Sequence, residues 1–124
     1  AASDQPGALL ICDLDHFKRI NDQYGHPAGD QCLKRFAERA ERVLPPDALL
    51  GRFGGEEFLV YLPSADGGEA QRQAEQLRAE IAAAPVVVES ESICLTVSIG
   101  VLIRRPGSRE TLAIAIARAD AALY

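Results

Sequence analysis

Cysteines, basic residues and long apolar runs are all scarce in this chain of 124 residues. Its three cysteines (Cys12, Cys32 and Cys94) lie far apart and have no paired spacing, so neither a disulfide framework nor a zinc site is expected. We interpret all three as buried, reduced thiols. The 13 Lys and Arg residues are outnumbered by 18 Asp and Glu residues, for a net charge of −5. This balance excludes a basic surface for duplex nucleic acid and predicts no direct contact with an anionic membrane.

The apolar runs are too short to span a membrane, and the chain does not open with a basic and then apolar signal segment. Its hydrophobic fraction of 48% and charged fraction of 25% are ordinary for a globular protein, and its length suits one domain, residues 1–124. The chain does not begin with Met, and it stops at Tyr124 within a helical pattern. We therefore expect it to be a piece of a longer protein, clipped at both ends.

The apolar pattern predicts an α/β protein with a mixed central sheet and surrounding helices. Residues 8–12 form a continuous apolar run, typical of a central strand that is buried on both faces. A hairpin is predicted to pair residues 49–50 with 58–62, and a second hairpin to pair 86–88 with 93–103. Apolar residues at helical spacing predict four helices, which run from Asp15 to about Gly25, from Gly29-Asp30 to the prolines at 45–46, over residues 69–84, and from Ser108 to the end.

The tip of the first hairpin carries Gly54, Gly55, Glu56 and Glu57. Adjacent glycines permit positive φ angles and remove side chains that would keep a ligand from the backbone. Two adjacent carboxylates repel each other unless a positive charge lies near them, and a divalent metal such as Mg²⁺ prefers such oxygen ligands. From the residues alone, a metal site and a solvated acidic turn are both open.

A second group of polar residues follows the predicted central strand. Asp13 comes directly after the apolar run, at the strand end where active-site groups of open α/β sheets collect. A charge at a buried strand end needs a partner. If the hairpin pairs beside this strand, Asp13 and Glu56 face one metal site. Asp15 is interpreted first as the N-cap of the next helix.

Four further residues are candidates for holding a nucleotide. Phe17 and Lys18 fall in the first turn of a helix, whose free N–H groups suit phosphate. Asn21 and Asp30 offer an amide and a carboxylate that can read a guanine edge. Asp30 fits a helix cap equally well, and Asn21 an ordinary surface position.

Together, these segments resemble the GGDEF family of diguanylate cyclases. Residues 54–58 (GGEEF) match the active form of its signature, and residues 13–30 (DLDHFKRINDQYGHPAGD) match its upstream motif almost throughout. Residues 95–101 (LTVSIGV) and 118–124 (RADAALY) resemble two later segments of the family.

The resemblance implies a palm-like fold related to nucleotidyl cyclases, and an enzyme that condenses two GTP molecules into cyclic di-GMP with release of pyrophosphate. It implies that Asp13, Glu56 and the Leu14 main-chain carbonyl hold Mg²⁺ or Mn²⁺, with Glu57 in the same acidic loop. Further residues are implied to bind the substrate: Phe17 and Lys18 along the triphosphate, Asn21 and Asp30 at guanine, and Gly54 and Gly55 beside the nucleotide.

The resemblance also implies a homodimer, since each domain holds one GTP, and an attached sensory or regulatory domain. We expect a cytoplasmic domain, whether or not the parent protein is anchored in a membrane. Many relatives carry an Arg-x-x-Asp product site, whose places are taken here by Pro45 and Ala48. A non-catalytic module that binds GTP or cyclic di-GMP for regulation is the alternative function.

Overall fold

The apolar run near the start of the chain forms strand β1 (Gly7–Leu14), which lies inside a four-stranded sheet. The computed structural model describes residues 7–104. Successive side chains of β1 point to opposite faces, and both Leu10 and Ile11 are fully buried, so the prediction of a strand covered on both faces is confirmed. The other elements are α1 (Phe17–Tyr24), α2 (His26–Val43), β2 (Leu49–Arg52), β3 (Glu57–Pro63), α3 (Gly67–Ala82), β4 (Val86–Val88), β5 (Glu91–Ile93) and β6 (Val97–Arg104).

The strand order in the main sheet is β2-β3-β1-β6. The first hairpin forms as predicted, with β2 antiparallel to β3, and β3 in turn pairs with β1. The α/β architecture is confirmed. The sequence suggested a mixed sheet, whereas every strand pairing within residues 7–104 is antiparallel.

The predicted second hairpin is wrong in one of its partners. β4 pairs with the three-residue strand β5 in a separate small sheet, while β6 lies in the main sheet beside β1. A tight turn at Glu89, which has φ 56°, joins β4 to β5. The backbone groups on the second edge of β1 need a partner, and β6 supplies it. The alternation of apolar residues continues across this change of sheet, so the pattern alone does not reveal it.

Two helix boundaries also differ from the prediction. α2 begins at His26 rather than after Gly29-Asp30, with Pro27 in its first turn, where its fixed φ and missing N–H cost nothing. α3 begins at Gly67, and its N-cap is Asp66, whose side chain accepts a hydrogen bond from the Glu69 N–H at 2.9 Å. The helix predicted from Ser108 onward lies outside the described residues.

One hydrophobic core joins the helices to the sheet. The rings of Phe36 in α2 and Phe58 in β3 lie 4.5 Å apart between centroids. Cys12 and Cys32 are buried in this core, as predicted, but Cys94 is exposed. It lies between two buried residues of an extended segment, so its side chain points to the opposite, solvent side. Within residues 7–104, no helix combines the length and the apolar character that crossing a membrane requires.

Candidate active site

A cavity of about 310 Å³ opens at the carboxyl end of β1. It lies where the central strand, the turn between β2 and β3, and the first turn of α1 meet. The lining residues are Asp13, Leu14, Asp15, His16, Phe17, Lys18, Glu56 and Ser98. The cavity therefore contains five of the residues selected from the sequence as metal or phosphate ligands.

The pairing of β1 with β3 brings the two candidate metal-binding carboxylates to this cavity. Asp13 lies opposite Glu57 in the register of the two strands, and the Leu14 N–H donates to the Glu56 carbonyl at 3.2 Å. Asp13 and Glu56, 43 positions apart in the chain, thus line one space. Glu57, the first residue of β3, is half-buried and does not line it.

The backbone hydrogen bond between Asp15 and Thr96 sets the direction of the Leu14 carbonyl. The Asp15 N–H donates to the Thr96 carbonyl at 3.0 Å, on the side where β6 lies. In a planar trans peptide, the N–H and the C=O point in opposite directions. The Leu14 carbonyl is consequently turned away from β6, toward the side of β1 on which Glu56 lies.

The prediction that Asp15 caps α1 is wrong. The N-cap position is His16, whose backbone is left-handed (φ 57°, ψ 30°), and no side chain caps the helix. The two carboxylate oxygens of Asp15 instead accept hydrogen bonds from Thr96 Oγ1 (2.8 Å) and Ser98 Oγ (2.6 Å). Because β6 lies beside β1 in the sheet, two hydroxyls are available to Asp15 that no local sequence pattern reveals.

The first turn of α1 faces the cavity. The first hydrogen bond along the helix runs from the Ile20 N–H to the His16 carbonyl at 3.0 Å, so the Phe17 and Lys18 N–H groups precede the helical ladder. Lys18 is exposed and Phe17 is half-buried. This arrangement can offer backbone donors and one ammonium group to an anion in the cavity.

The two glycines of the β2–β3 turn do not use the conformational freedom expected from the sequence. Neither Gly54 nor Gly55 has a positive φ. Among the glycines of residues 7–104, Gly25 is the one that does. A Cβ added at Gly55 would meet no atom within 4 Å, whereas one at Gly54 would lie 3.1 Å from Glu57 Oε1. Open space beside the backbone at Gly55 is the property that a ligand could use.

Arg52 was not selected from the sequence, although it precedes the turn directly. Its Nη2 donates to the Gly55 carbonyl at 2.6 Å, and its Nε donates to the carbonyls of Gly54 (3.1 Å) and Gly55 (3.2 Å). Through these bonds, the last residue of β2 holds the turn that follows this strand. An arginine two positions before a Gly-Gly turn was the available signal, since its side chain can fold back over the turn carbonyls.

Asn21 and Asp30 lie apart from the cavity but close to each other. A Cβ added at Gly29 of α2 would collide with Asn21 Oδ1 and lie 3.2 Å from the Phe17 ring, so Asn21 packs directly on the Gly29 backbone. Asp30 follows Gly29 and is exposed. Because α2 begins at His26, Asp30 is inside the helix, and the helix-cap interpretation of Asp30 is wrong. Phe17 connects this pair to the cavity.

The donor set of the cavity suits a hard cation that shares its coordination with a substrate. Within the described part of the chain, no three His, Cys, Asp or Glu side chains form a ready-made metal cluster. The cavity is lined instead by Asp13, Glu56 and Leu14, and by Asp15, whose two carboxylate oxygens already accept from Thr96 and Ser98. Mg²⁺ commonly binds one or two carboxylates together with substrate phosphates, and the carboxylates of Asp13 and Glu56 fit that mode.

Comparison with known proteins gives a consistent family assignment. The family model described as "Diguanylate cyclase, GGDEF domain" matches residues 1–124. The chain is 41% identical over 116 residues to the diguanylate cyclase DgcP of Pseudomonas aeruginosa, an alignment that covers 94% of this chain and 17% of DgcP. The chain thus spans less than a fifth of that relative's length.

Solved structures agree with the fold. The crystal structure of the diguanylate cyclase SiaD in complex with its activator SiaC, from Pseudomonas aeruginosa, superposes with a TM-score of 0.89 at 39% identity, over 96% of this chain and 45% of SiaD. The active GGEEF domain of a diguanylate cyclase from Vibrio cholerae superposes with a TM-score of 0.85 at 35% identity, over 97% of this chain and 75% of that one. Residues 54–58 of the present chain have the same GGEEF sequence.

Proposed function

The chain belongs to the GGDEF family of diguanylate cyclases, and on that premise we propose that it condenses two GTP molecules into cyclic di-GMP with release of pyrophosphate. The observation that carries the proposal is the meeting of Asp13, the Leu14 carbonyl and Glu56 at one cavity beside the first turn of α1. The intact Glu56-Glu57 pair favours this activity over the regulatory module considered from the sequence.

In this proposal, Asp13, Glu56 and the Leu14 carbonyl hold Mg²⁺ or Mn²⁺. When bound, the divalent ion supplies charge neutralisation at the phosphates and activation of the ribose 3′ hydroxyl. Asp13 lies on β1 and Glu56 in the turn directly before β3, so the pairing of β1 with β3 and the bond from the Leu14 N–H to the Glu56 carbonyl hold the two residues beside each other. Glu57 belongs to the same acidic loop, and its carbonyl accepts hydrogen bonds from the Phe53 and Gly54 N–H groups of the turn at 2.9 and 3.3 Å.

The proposed triphosphate site is the first turn of α1. The Phe17 and Lys18 N–H groups offer hydrogen bonds and the positive end of the helix dipole to phosphate oxygens, and the Lys18 ammonium adds a charge. Gly55 leaves open space in which the nucleotide can approach the turn backbone. At Gly54, the missing side chain lets the turn lie close to the Glu57 side chain. These groups orient the α-phosphate without contributing a nucleophile of their own.

The proposed guanine site is formed by Asn21 and Asp30. The Asp30 carboxylate accepts from the guanine ring N–H and the exocyclic amine, and the Asn21 amide bonds the same edge. Their proximity across the α1–α2 contact, on the far side of Phe17, supports one base being held while its phosphates extend to the cavity.

Each site holds one GTP and the product needs two, so we propose a homodimer in which two sites face each other. Residues 1–124 are proposed to form one such catalytic domain, to which a sensory or regulatory domain is attached in the parent protein. Because its substrate is GTP, we place the domain in the cytoplasm.

The test is turnover. We would measure cyclic di-GMP by chromatography after adding GTP and Mg²⁺ to the chain, alone and fused to an N-terminal leucine zipper that enforces pairing. Glu56→Gln should lower the rate by at least about 100-fold, since it removes a charge from the metal site. Glu41→Gln makes the same chemical change at an exposed position of α2 and should leave the rate unchanged. Equal rates in the wild type and Glu56→Gln would contradict the proposal.

A further inference from the structure

Asp15 is bound through both its backbone and its side chain to the start of β6 and to Thr96, the residue directly before that strand. Its N–H donates to the Thr96 carbonyl at 3.0 Å. Its Oδ2 accepts from Thr96 Oγ1 at 2.8 Å and its Oδ1 accepts from Ser98 Oγ at 2.6 Å. Hydrogen bonds to an ionised acceptor are among the stronger ones in proteins, so the residue is fixed to its neighbouring strand at three points.

The segment that Asp15 fixes contains the proposed metal-binding and phosphate-binding groups. On one side, its peptide bond includes the Leu14 carbonyl, which faces away from β6. On the other side, His16 adopts a left-handed backbone with φ 57°, a conformation that is strained for a residue with a side chain. This turn at His16 aims the first N–H groups of α1 at the cavity. A strained turn of this kind persists only where surrounding contacts hold it.

We propose that Asp15 is a positioning residue, whose carboxylate is held by the Thr96 and Ser98 hydroxyls and keeps the Leu14 carbonyl and the first turn of α1 in the geometry that the metal–nucleotide complex requires. The metal–nucleotide part of this inference rests on the proposed function. Both carboxylate oxygens of Asp15 accept from hydroxyls on the β6 side, those of Thr96 and Ser98, whereas the Leu14 carbonyl and Glu56 lie on the β3 side. Asp15 therefore acts through the backbone that it holds and not as a ligand.

Substitutions of Asp15 distinguish a positioning residue from a direct metal ligand. Asp15→Asn removes the charge but retains hydrogen bonding, because its oxygen still accepts from one hydroxyl while the other hydroxyl can accept from its NH₂ group. Asp15→Ala removes both bonds. The double variant Thr96→Val, Ser98→Ala keeps the Asp15 charge and removes its two side-chain donors. A positioning role predicts that Asp15→Ala and this double variant behave alike and that Asp15→Asn recovers most of the loss.

Two measurements on the full chain test the inference. Amide hydrogen exchange without ligand reports how firmly residues 14–18 are held. The Leu14 and Asp15 N–H groups are bonded to the Glu56 and Thr96 carbonyls, and we expect their exchange to become about 10-fold faster in Asp15→Ala and in the double variant. Titration with Mn²⁺, followed by electron paramagnetic resonance in the presence of a GTP analogue that cannot react, should show about 10-fold weaker binding in the same variants.

Asp66→Ala is the matched control. It also removes a carboxylate that accepts a hydrogen bond, from the Glu69 N–H at the start of α3, and it should likewise lower the free energy of unfolding. It should change neither the exchange at residues 14–18 nor the binding of Mn²⁺. If Asp66→Ala and Asp15→Ala changed exchange and Mn²⁺ binding equally, the changes would reflect a lower overall stability of the fold, and the proposal would be overturned.

The remaining outcomes are also decisive. If Asp15→Asn weakens Mn²⁺ binding as much as Asp15→Ala while the double variant binds normally, Asp15 contributes its charge directly and positioning is wrong. Unchanged exchange and binding in the double variant would overturn it as well. If the wild type binds no Mn²⁺ with the nucleotide, the proposed function fails, and exchange at residues 14–18 still decides whether Asp15 holds the segment.

Discussion

The Leu14 N–H donates a hydrogen bond to the Glu56 carbonyl at 3.2 Å. Through this bond, the end of the central strand is joined to the turn that carries the signature glutamates. Leu14, Asp13 and Glu56 therefore belong to one hydrogen-bonded unit that lines a single cavity, although they come from different parts of the chain.

This unit offers few metal ligands, and Mn²⁺ binding should therefore depend on nucleotide. Two carboxylates and a carbonyl leave most positions of a six-coordinate ion to water or phosphate. We expect the affinity for Mn²⁺ to rise by at least about 10-fold when an unreactive GTP analogue is present, with Asp13→Asn losing most of that gain. Titration calorimetry with and without the analogue measures this, and Asp47→Asn at an exposed position of the loop before β2 is the control. Tight binding of Mn²⁺ without nucleotide would contradict this donor set.

Gly29→Ala should separate nucleotide binding from stability. The added Cβ would collide with Asn21 Oδ1, which is the end of a flexible side chain and can move away. Alanine is also the better helix former, by about 1 kcal/mol, so the free energy of unfolding should change little. Displacing Asn21 should raise the KM for GTP by about 10-fold, as expected for a lost hydrogen bond to the base.

The measurements are steady-state kinetics and urea denaturation of the same variant. Gly67→Ala, in the first turn of α3 and with open space around its Cβ position, is the matched control and should leave the KM unchanged. An unchanged KM in Gly29→Ala would show that Asn21 does not contact the nucleotide.

Arg39 should be the most costly charged residue to replace for stability. It is 9% exposed and is the one buried charged side chain among residues 7–104. Its guanidinium donates to the carbonyls of Ile81 (3.0 Å), Ala84 (2.7 Å) and Pro85 (3.1 Å). These carbonyls lie at the end of α3 and before β4. Arg39→Met should lower the free energy of unfolding by about 2–4 kcal/mol, because it leaves carbonyls without donors.

Arg35→Met is the control for this loss. Arg35 forms an exposed ion pair with Glu38 one turn along α2, and such pairs contribute about 0.5 kcal/mol or less. Equilibrium urea unfolding gives both values. A loss of less than about 1 kcal/mol in Arg39→Met would mean that water readily replaces the guanidinium.

The three cysteines should react very differently with alkylating reagents. Burial raises the pKa of the Cys12 thiol from its ordinary value of 9.0 to about 12, and burial also raises the pKa of Cys32. Cys94 is exposed. Because the thiolate is the reactive form, native protein treated with iodoacetamide should be labelled at Cys94 alone, and at all three positions in denaturant. Mass spectrometry of peptides assigns the labels.

The raised pKa of Cys12 also makes the free energy of unfolding depend on pH. Since the Cys12 thiol keeps its proton longer in the folded protein than in the unfolded chain, the unfolded chain binds fewer protons between pH 9.0 and about 12. The contribution of Cys12 to the free energy of unfolding is fully present below pH 9.0 and is lost as the pH rises to about 12. Labelling of native Cys12 at neutral pH as fast as Cys94 would contradict its burial.

Local patterns predicted most of the elements in the described part of the chain. The apolar run of residues 8–12 was long enough and apolar enough to indicate a central strand. The two runs around the Gly-Gly turn indicated the β2–β3 hairpin. Their pairing also supported the hypothesis that Asp13 and Glu56 meet, since it follows from strand order and requires no side-chain detail.

Where a residue fits two local structures equally well, the sequence alone does not distinguish between them. Gly29 looked like a helix boundary but lies inside α2, where its missing side chain leaves room for Asn21. Asp15 looked like a helix cap, and Cys94 looked buried in an apolar stretch. In each case, the outcome depended on a neighbour that is distant in the chain or on the direction of a single side chain.

The sequence by itself determined the family, the central strand, the signature hairpin and the residue types at the proposed metal and guanine sites, because these follow from periodicity and from ordered motifs. Only the tertiary structure decided that β6 leaves the second hairpin to pair with β1, that Asp15 bonds to Thr96 and Ser98, and that Arg52 holds the turn. The physical reason is that backbone and carboxylate groups take the partners that folding brings within about 3 Å, and those partners lie up to 83 positions away along the chain.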